Sequence, residues 1–477
     1  MSVESAIFPY PEHWQLTTLG QLCVDRGGCI QTGPFGSQLH ASDYVEEGIP
    51  SIMPKNISVE GVSDEDIARI NEDDALRLSK HLVSEGDIIY SRRGDVEKCA
   101  LISGTENGWL CGTGCIKVNL GSNSPASSEY IHAYLSSPVI REWISRHAVG
   151  ATMPNLNTTI LSEVPVLIPP KNEENYIASI WKNTIAKIVL NRQTNQTLEH
   201  IAQALFKSWF VDFEPTRTKI AAKQSGLDPE QAAMAAISGK AVVELEQLDA
   251  EQLAQLKTTA ALFPNAFVES EFGEVPEGWE TVRFKNIVEK YIDNRGKTPP
   301  TLDAGVPLLE VKHLPDRAIK PNLNTAKYVS DDIYDSWFRA HLEFEDIIIS
   351  TVGSIGRICL TPKNERVAIA QNLLGLRFNR AKVSPYFMYY QMDGHRFRHD
   401  VDARLVVTVQ ASIKRKDLET IDLLAPSIEL QTQFEKLVKP LVETQQSDQV
   451  EKLAELRDTL LPKLLSGELS PTKPEVA

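Results

Sequence analysis

Apolar positions change their period along this chain, and the change occurs twice. Short β-branched runs bounded by Gly, Pro and Asp, such as residues 87–91 and 346–351, have the length and composition of strands. Each set of runs gives way to a stretch in which apolar residues recur every three or four positions, the spacing of one helix face. In the first stretch these are Ile177, Trp181, Ile185, Ile188, Leu198, Ile201, Leu205 and Trp209, with polar Asn191 and Asn195 in mid-stripe. The second stretch, 428–465, runs through Phe434, Leu437, Leu441, Leu453, Leu456, Leu460 and Leu464. Pro440 lies inside it and predicts a kink or break, because proline removes a hydrogen bond and crowds the preceding turn. A first helix over 173–210, about 38 residues, is roughly 57 Å long.

The pattern recurs because the sequence does. PEHWQLTTLGQL at Pro11 resembles PEGWETVRFKNI at Pro276, aligning Trp14 with Trp279. GIPSIMPKNI pairs with GVPLLEVKHL, placing Lys55 and Asn56 against Lys312 and His313. GDIIYSRRGDVEKCAL matches EDIIISTVGSIGRICL, and VPVLIPP matches IDLLAPS. The offsets stay between 257 and 265 residues, as duplication with small loop insertions requires. The equivalence fades between about Gly112 and Arg146. These features predict an α+β chain with a pseudo-twofold from internal duplication: two similar mixed α/β globular halves separated by two long antiparallel helices. The expected boundaries are 1–168 for the first half, 169–215 for its helix, 216–274 for an acidic, partly helical connector, 275–425 for the second half and 426–470 for its helix. The alternative is that each helix merely covers its own globular half.

Composition narrows the class without naming a function. With 477 residues, 42% hydrophobic and 24% charged, the chain is long enough for about two to four domains and is neither disordered nor a disulfide scaffold. No apolar run approaches the ~20 residues that span a bilayer, and the first residues lack a signal-peptide layout, which places the chain in the cytoplasm with no membrane partner. The six cysteines read as free thiols, with zinc near Cys111 and Cys115 as the alternative. The net charge of −15 looks unfavourable for nucleic acid, but residues 212–280 hold 13 acids and 5 bases, more than half of the excess. Basic loops elsewhere are compatible with that total.

Catalytic motifs are sparse. NRGKTPP carries Gly296, Lys297 and Thr298, but Tyr291 stands where a phosphate loop needs its first glycine. Asp303, Glu310 and Lys312 form the nearest nuclease-like set. The first copy has Met53 at the place of Glu310 yet keeps Lys55, which suits a phosphate contact better than metal chemistry. The glycine-bearing loops instead offer polar and basic side chains. The first half presents Gln31, Thr32, Phe35, Ser37, Gln38, Lys55, Asn56, Arg92, Arg93, Lys98, Asn155 and Asn157. The second presents Arg295, Lys297, Thr298, Lys312, His313, Ser354, Arg357, Arg404, Gln410, Lys414 and Arg415. Arg and Lys suit guanine edges and phosphates, and Asn and Gln suit adenine.

The PEGW opening of the second repeat and its PEHW counterpart, TGPFGSQL, RGKTP, VGSIGR, AQALFKSWFVDFEP and LRDTLLPKLLSGEL together resemble the specificity subunits of type I restriction-modification enzymes, over most of the chain. The resemblance implies that each globular half is a target recognition domain reading one part of a bipartite double-stranded DNA site. It implies no cofactor in this chain and no catalysis by it. Two methyltransferase subunits would supply S-adenosylmethionine chemistry, and two restriction subunits would supply ATP- and Mg-dependent translocation and cutting. A standalone DNA-binding regulator is the alternative, and a nuclease a more distant one. Phe206, Trp209, Phe210 and Phe213, with Leu460, Leu461, Leu464 and Leu465, are candidate anchors for a partner, with core packing as the competing role.

Overall fold

The computed structural model describes residues 9–471 apart from 123, 151–152, 295, 317, 326, 407–410 and 448. The chain divides into two compact units, Met1–Gln193 with Asp448–Ala477, and Thr194–Ser447. The division falls inside the helix Lys171–Phe210, so one helix contributes to both.

In the first unit an antiparallel sheet takes the order Cys29–Thr32, Cys115–Asn119, Ile88–Ser91, Cys99–Leu101. A second sheet pairs Ile49–Ile52 in parallel with Leu110–Cys111 and antiparallel with Ala68–Ile70. Gln15–Thr18 returns to pair with Pro165–Ile168, which closes the unit just before the long helix. The second unit repeats this plan. Its antiparallel sheet runs Val288–Ile292, Leu373–Phe378, Ile347–Ser350, Ile358–Leu360. Val306–Leu309 pairs in parallel with Ala368–Ile369, and Glu280–Arg283 pairs with Asp422–Ala425. The repeat also continues where sequence similarity fades: helices Ser128–Leu135 and Pro138–His147 correspond to Pro385–Asp393 and His395–Asp402. Burial preserves these elements through apolar character rather than identity, as with Ile131 and Met388, both fully buried.

The central strand of each unit starts from the same turn. Asp87 and Asp346 are buried, and each carboxylate accepts a backbone N–H three residues back, from Ser84 and Glu343, at 2.9 and 2.7 Å. The remaining acceptor capacity goes to different partners, Asn119 in the first unit and Arg377 in the second. Burial raises both carboxyl pKa values above the ordinary range.

The helix Lys171–Phe210 has 40 residues and is about 60 Å long. Its first half inserts Ile177 and Trp181 into the first unit's core beside Leu461 and Leu464 of the helix Gln449–Leu465. Asn191 donates to Gln449 at 3.3 Å, so these two helices run antiparallel. Its second half inserts Ala202, Phe206, Trp209 and Phe210 into the other core, where Phe206 meets Phe434 of the helix Ile428–Gln445 at 5.8 Å. The helix therefore does more than cover one domain. The expected break at Pro440 does not occur: the chain stays helical to Gln445, and the interruption falls at Gln446 and Ser447. Full burial of Phe434, Val438 and Val442 offsets the single bond that Pro440 removes. The stretch 428–465 is thus two helices rather than one.

The expected connector is a folded module. Helices Glu214–Gln224, Pro229–Ser238, Val242–Leu245 and Ala250–Ala261 pack together and precede the hairpin formed by Phe267–Ser270 and Gly273–Pro276. Buried Lys219 donates to Glu230 at 2.6 Å and to the Phe263 carbonyl at 2.9 Å, tying three segments at one point. No helix among the described residues is long and apolar enough to cross a membrane.

His132 sits in the first core with Nδ1 accepting from Trp181 Nε1 at 3.1 Å, a geometry that requires the neutral ring. Burial lowers its pKa to about 4. The unfolded chain, with an ordinary histidine near 6.5, takes up the proton first as pH falls, so stability present above pH ~6.5 is lost toward pH ~4, by about 3 kcal/mol. His132→Asn keeps an acceptor for Trp181 without the titration. The difference in denaturant midpoint between pH 7 and 4.5 is expected to shrink accordingly, and an unchanged difference contradicts the assignment.

Candidate nucleic-acid interface

In each main sheet three strands terminate at the same end, and the loops leaving them form one rim. In the first unit, register places Thr32 beside Ile116 and Ser91 beside Cys115. The loops at 33–39, 92–98 and 112–114 therefore meet, and residues 153–157 join them through Gly94 and Arg92. Backbone bonds hold them: Arg92 N–H donates to the Gly114 carbonyl at 2.7 Å, Leu156 N–H to the Arg92 carbonyl at 2.9 Å, and Gly33 N–H to the Cys115 carbonyl at 2.9 Å. Val149 and Asn155 exchange two further bonds. A Cβ on Gly33 would lie 2.1 Å from the Gly112 carbonyl oxygen, so the two loops approach as only glycine allows.

The second unit builds the same frame. Thr351 N–H donates to the Asn372 carbonyl and Ile413 N–H to the Thr351 carbonyl, both at 2.9 Å, and Val406 and Ser412 exchange two bonds. Arg92 is thus equivalent to Thr351, Gly114 to Asn372, and Asn155 to Ser412. The main-chain frame is common to both rims while the side chains on it differ.

Most predicted residues lie on these rims, but several have internal tasks. Phe35, Ser37, Arg93, Lys297, Thr298, Ser354 and Lys414 are exposed on rim loops; Phe35 is 59% exposed. Lys98 pairs with Asp95 at 2.5 Å, and Lys55 donates to the Asp66 carbonyl at 2.8 Å. Gln31 and Thr32 are half-buried beside His81, whose Nδ1 lies 3.4 Å from Gln31 Nε2 and 3.0 Å from the Thr32 carbonyl; burial lowers its pKa. The Gln38 side chain accepts the Phe35 N–H at 3.3 Å. Asn157 caps a helix by accepting the Ile160 N–H at 2.8 Å. Arg357 donates to the Leu314 carbonyl, Arg404 to the Asp400 carbonyl, and Arg415 to Glu419 while lying over Tyr291. Arg295 and Gln410 lie outside the described residues.

Two expectations need correction. Asn56 and His313 are buried, and each accepts the backbone N–H three residues earlier, Met53 and Glu310, at 3.0 and 2.9 Å. They are equivalent turn supports and have no surface left for a base edge. The aromatic anchors Phe206, Trp209 and Phe210 are core residues: Trp209 is fully buried, 5.3 Å from Phe263 and 6.0 Å from Phe434. Leu464 is buried too, and Leu460 packs against the same core. The folded module after the long helix covers this end, which sequence periodicity could not show.

In the nuclease-like set the carboxylate of Glu310 is taken up by lysines. Glu310 pairs with Lys327 at 2.6 Å and Lys312 at 3.1 Å, and Lys327 foremost holds its carboxyl below the usual range. Cys111 and Cys115 are buried, with the Cys111 thiol pushed up to about 12 by burial, and no three metal-ligating side chains converge among the described residues. Sequence reasoning missed Thr113, whose hydroxyl donates to the Pro34 carbonyl at 3.1 Å, and Asn372, whose carbonyl accepts from both N–H and hydroxyl of Thr351. The Gly-Thr-Gly run at 112–114 was the available signal.

The family model described as Type I restriction modification DNA specificity domain matches residues 11–200. The duplicated architecture carries the same plan into the second half. Over residues 11–200 the chain is similar to type I restriction-modification specificity subunits. It is 28% identical to the HindI specificity subunit of Haemophilus influenzae over 412 residues, covering 82% of this chain and 88% of that one. It is 22% identical to the MjaIX specificity subunit of Methanocaldococcus jannaschii, covering 98% and 96%. Among solved structures, the type I restriction-modification S subunit from M. genitalium shares the fold with a TM-score of 0.51 at 16% identity, covering 96% of this chain and 98% of that one.

Trp209→Ala tests the corrected assignment of the aromatic cluster. Emptying a fully buried tryptophan site is expected to cost about 3–5 kcal/mol in the second unit's denaturant unfolding. A variant of unchanged stability that fails to retain a methyltransferase partner would restore the anchoring role.

Proposed function

We propose that the two rims read the two parts of a bipartite, asymmetric double-stranded DNA site, and that this chain is the non-catalytic reader of a larger restriction-modification assembly. The observation that carries this reading is one backbone frame bearing two different side-chain sets: Arg92, Arg93, Asn155 and Asn157 on one rim, and Thr351, Val352, Ser412 and Lys414 on the other. Main-chain bonds position the loops regardless of which side chains they carry, so sequence preference can differ between rims without loss of fold. Methyltransferase subunits with S-adenosylmethionine, and restriction subunits with ATP and Mg, would provide the chemistry. A duplicated chain offers two such partners similar docking surfaces while presenting DNA with different readers.

Methylation mapping in cells that carry this chain with methyltransferase and restriction partners is expected to return a two-part motif with a fixed gap. Arg93→Ala is expected to relax one part by about 1–3 kcal/mol per lost base contact and to leave the other part unchanged. A contiguous motif, or loss of both parts together, contradicts the reading. Inserting four residues after Leu198 and four between Gln445 and Gln449 adds about 6 Å of helix and is expected to lengthen the gap by roughly two base pairs. Retention of the original gap counts against the helices as its ruler.

A further inference from the structure

Glu345 occupies a backbone conformation that its equivalent in the first repeat leaves to glycine. The turns before the two central strands are the same. Gly86 N–H donates to Ile102 and Glu345 N–H to Thr361, while Ile102 and Thr361 return bonds to the carbonyls of Asp87 and Asp346. The turn requires positive φ, 89° at Gly86 and 71° at Glu345. Glycine adopts this freely, whereas a side chain there is strained and persists where its surroundings hold it.

What holds Glu345 is a set of contacts to two helices of the second unit and to Arg380 in the turn after the strand Leu373–Phe378. Its carboxylate, on a residue 5% exposed, accepts from Tyr386 at 3.0 Å and from Lys439 at 2.9 Å, and pairs with Arg380. Lys439 lies on the helix Ile428–Gln445, and its ammonium also faces the rings of Phe344 and Tyr386 at 5.6 and 5.9 Å. The first unit has no acid at the equivalent place, since Gly86 is there. Its hairpin formed by Ile57–Ser58 and Gly61–Val62 instead presents Glu60 to Arg192 at 3.3 Å and to Arg457 at 3.1 Å, on the helices Lys171–Phe210 and Gln449–Leu465. Each globular half is pinned to its helices by a carboxylate, at non-equivalent positions in the two copies.

Resting on the bipartite reading above, we propose that Glu345 is a positioning residue that fixes the angle of the second rim on its helix and thereby sets which gap length the chain accepts. It contacts no base. The strain is retained because the pin sharpens the choice of gap, and the two copies pin independently, so that one half can be re-aimed without the other.

The test uses the full chain assembled with its methyltransferase partners. The probes are duplexes carrying the two mapped half-sites with the native gap or with one base pair more or fewer. Glu345→Gly installs the residue that the first repeat tolerates at this turn and is expected to fold. Its discrimination between the native and altered gaps is expected to fall about tenfold while half-site preference stays the same. Lys439→Met cuts the same contact from the helix side and is expected to act alike. Ile349→Val, which weakens the same sheet without touching the pin, is expected to leave discrimination intact. Wild-type discrimination in both pin variants overturns the proposal, as does an equal loss in Ile349→Val. A wild-type chain with no gap preference overturns the bipartite reading itself, a different result from a gap preference that Glu345→Gly does not change.

Discussion

Everything that presents side chains on the rims depends on main-chain hydrogen bonds between loops that are distant in sequence. In the first unit Arg92 is held through its N–H and its carbonyl, by loops at 114 and 156; in the second Thr351 is held in the same way, by loops at 372 and 413. Because the bonds use peptide groups, they are indifferent to whether the residue is arginine or threonine. A reader whose frame is backbone can change what it reads by substitution alone. That property suits a duplicated chain whose halves are proposed to prefer different bases.

The helix Lys171–Phe210 joins this frame to the rest of the chain by contributing to two cores at once. Its polar mid-section, with Asn191 and Asn195, separates an Ile177–Trp181 face from a Phe206–Phe210 face. The aromatic end is covered by the module that follows it, where buried Lys219 bridges Glu230 and the Phe263 carbonyl. An acidic stretch with weak periodicity becomes a folded cap because one buried ammonium satisfies its partners and Phe263 supplies the apolar contact to Trp209. The cap removes from the surface the residues that looked best suited to hold a partner.

The duplication is visible at two depths. Matching motifs such as GDIIYS and EDIIIS mark strands whose turns need the same buried aspartate, so selection on one geometry left recognisable letters. Between about Gly112 and Arg146 the letters diverge, although helices Ser128–Leu135 and Pro385–Asp393 remain equivalent, since an apolar core accepts many side chains of suitable volume. Asn56 and His313 show the reverse case. Their polar character suggested base contact, but the same polar atom also supports a tight turn, and composition does not separate the two uses.

By itself the sequence determined the two-fold repeat, the alternation of short strands with long helices, and the loops that carry polar side chains, because these follow from local period and turn chemistry. Only the tertiary structure decided which polar residues point outward, that Pro440 is tolerated, and that Trp209 is interior. Those outcomes depend on what lies across a core or a loop from each residue. Spacing along the chain encodes direction from a helix or strand axis, but it does not encode what will be packed there.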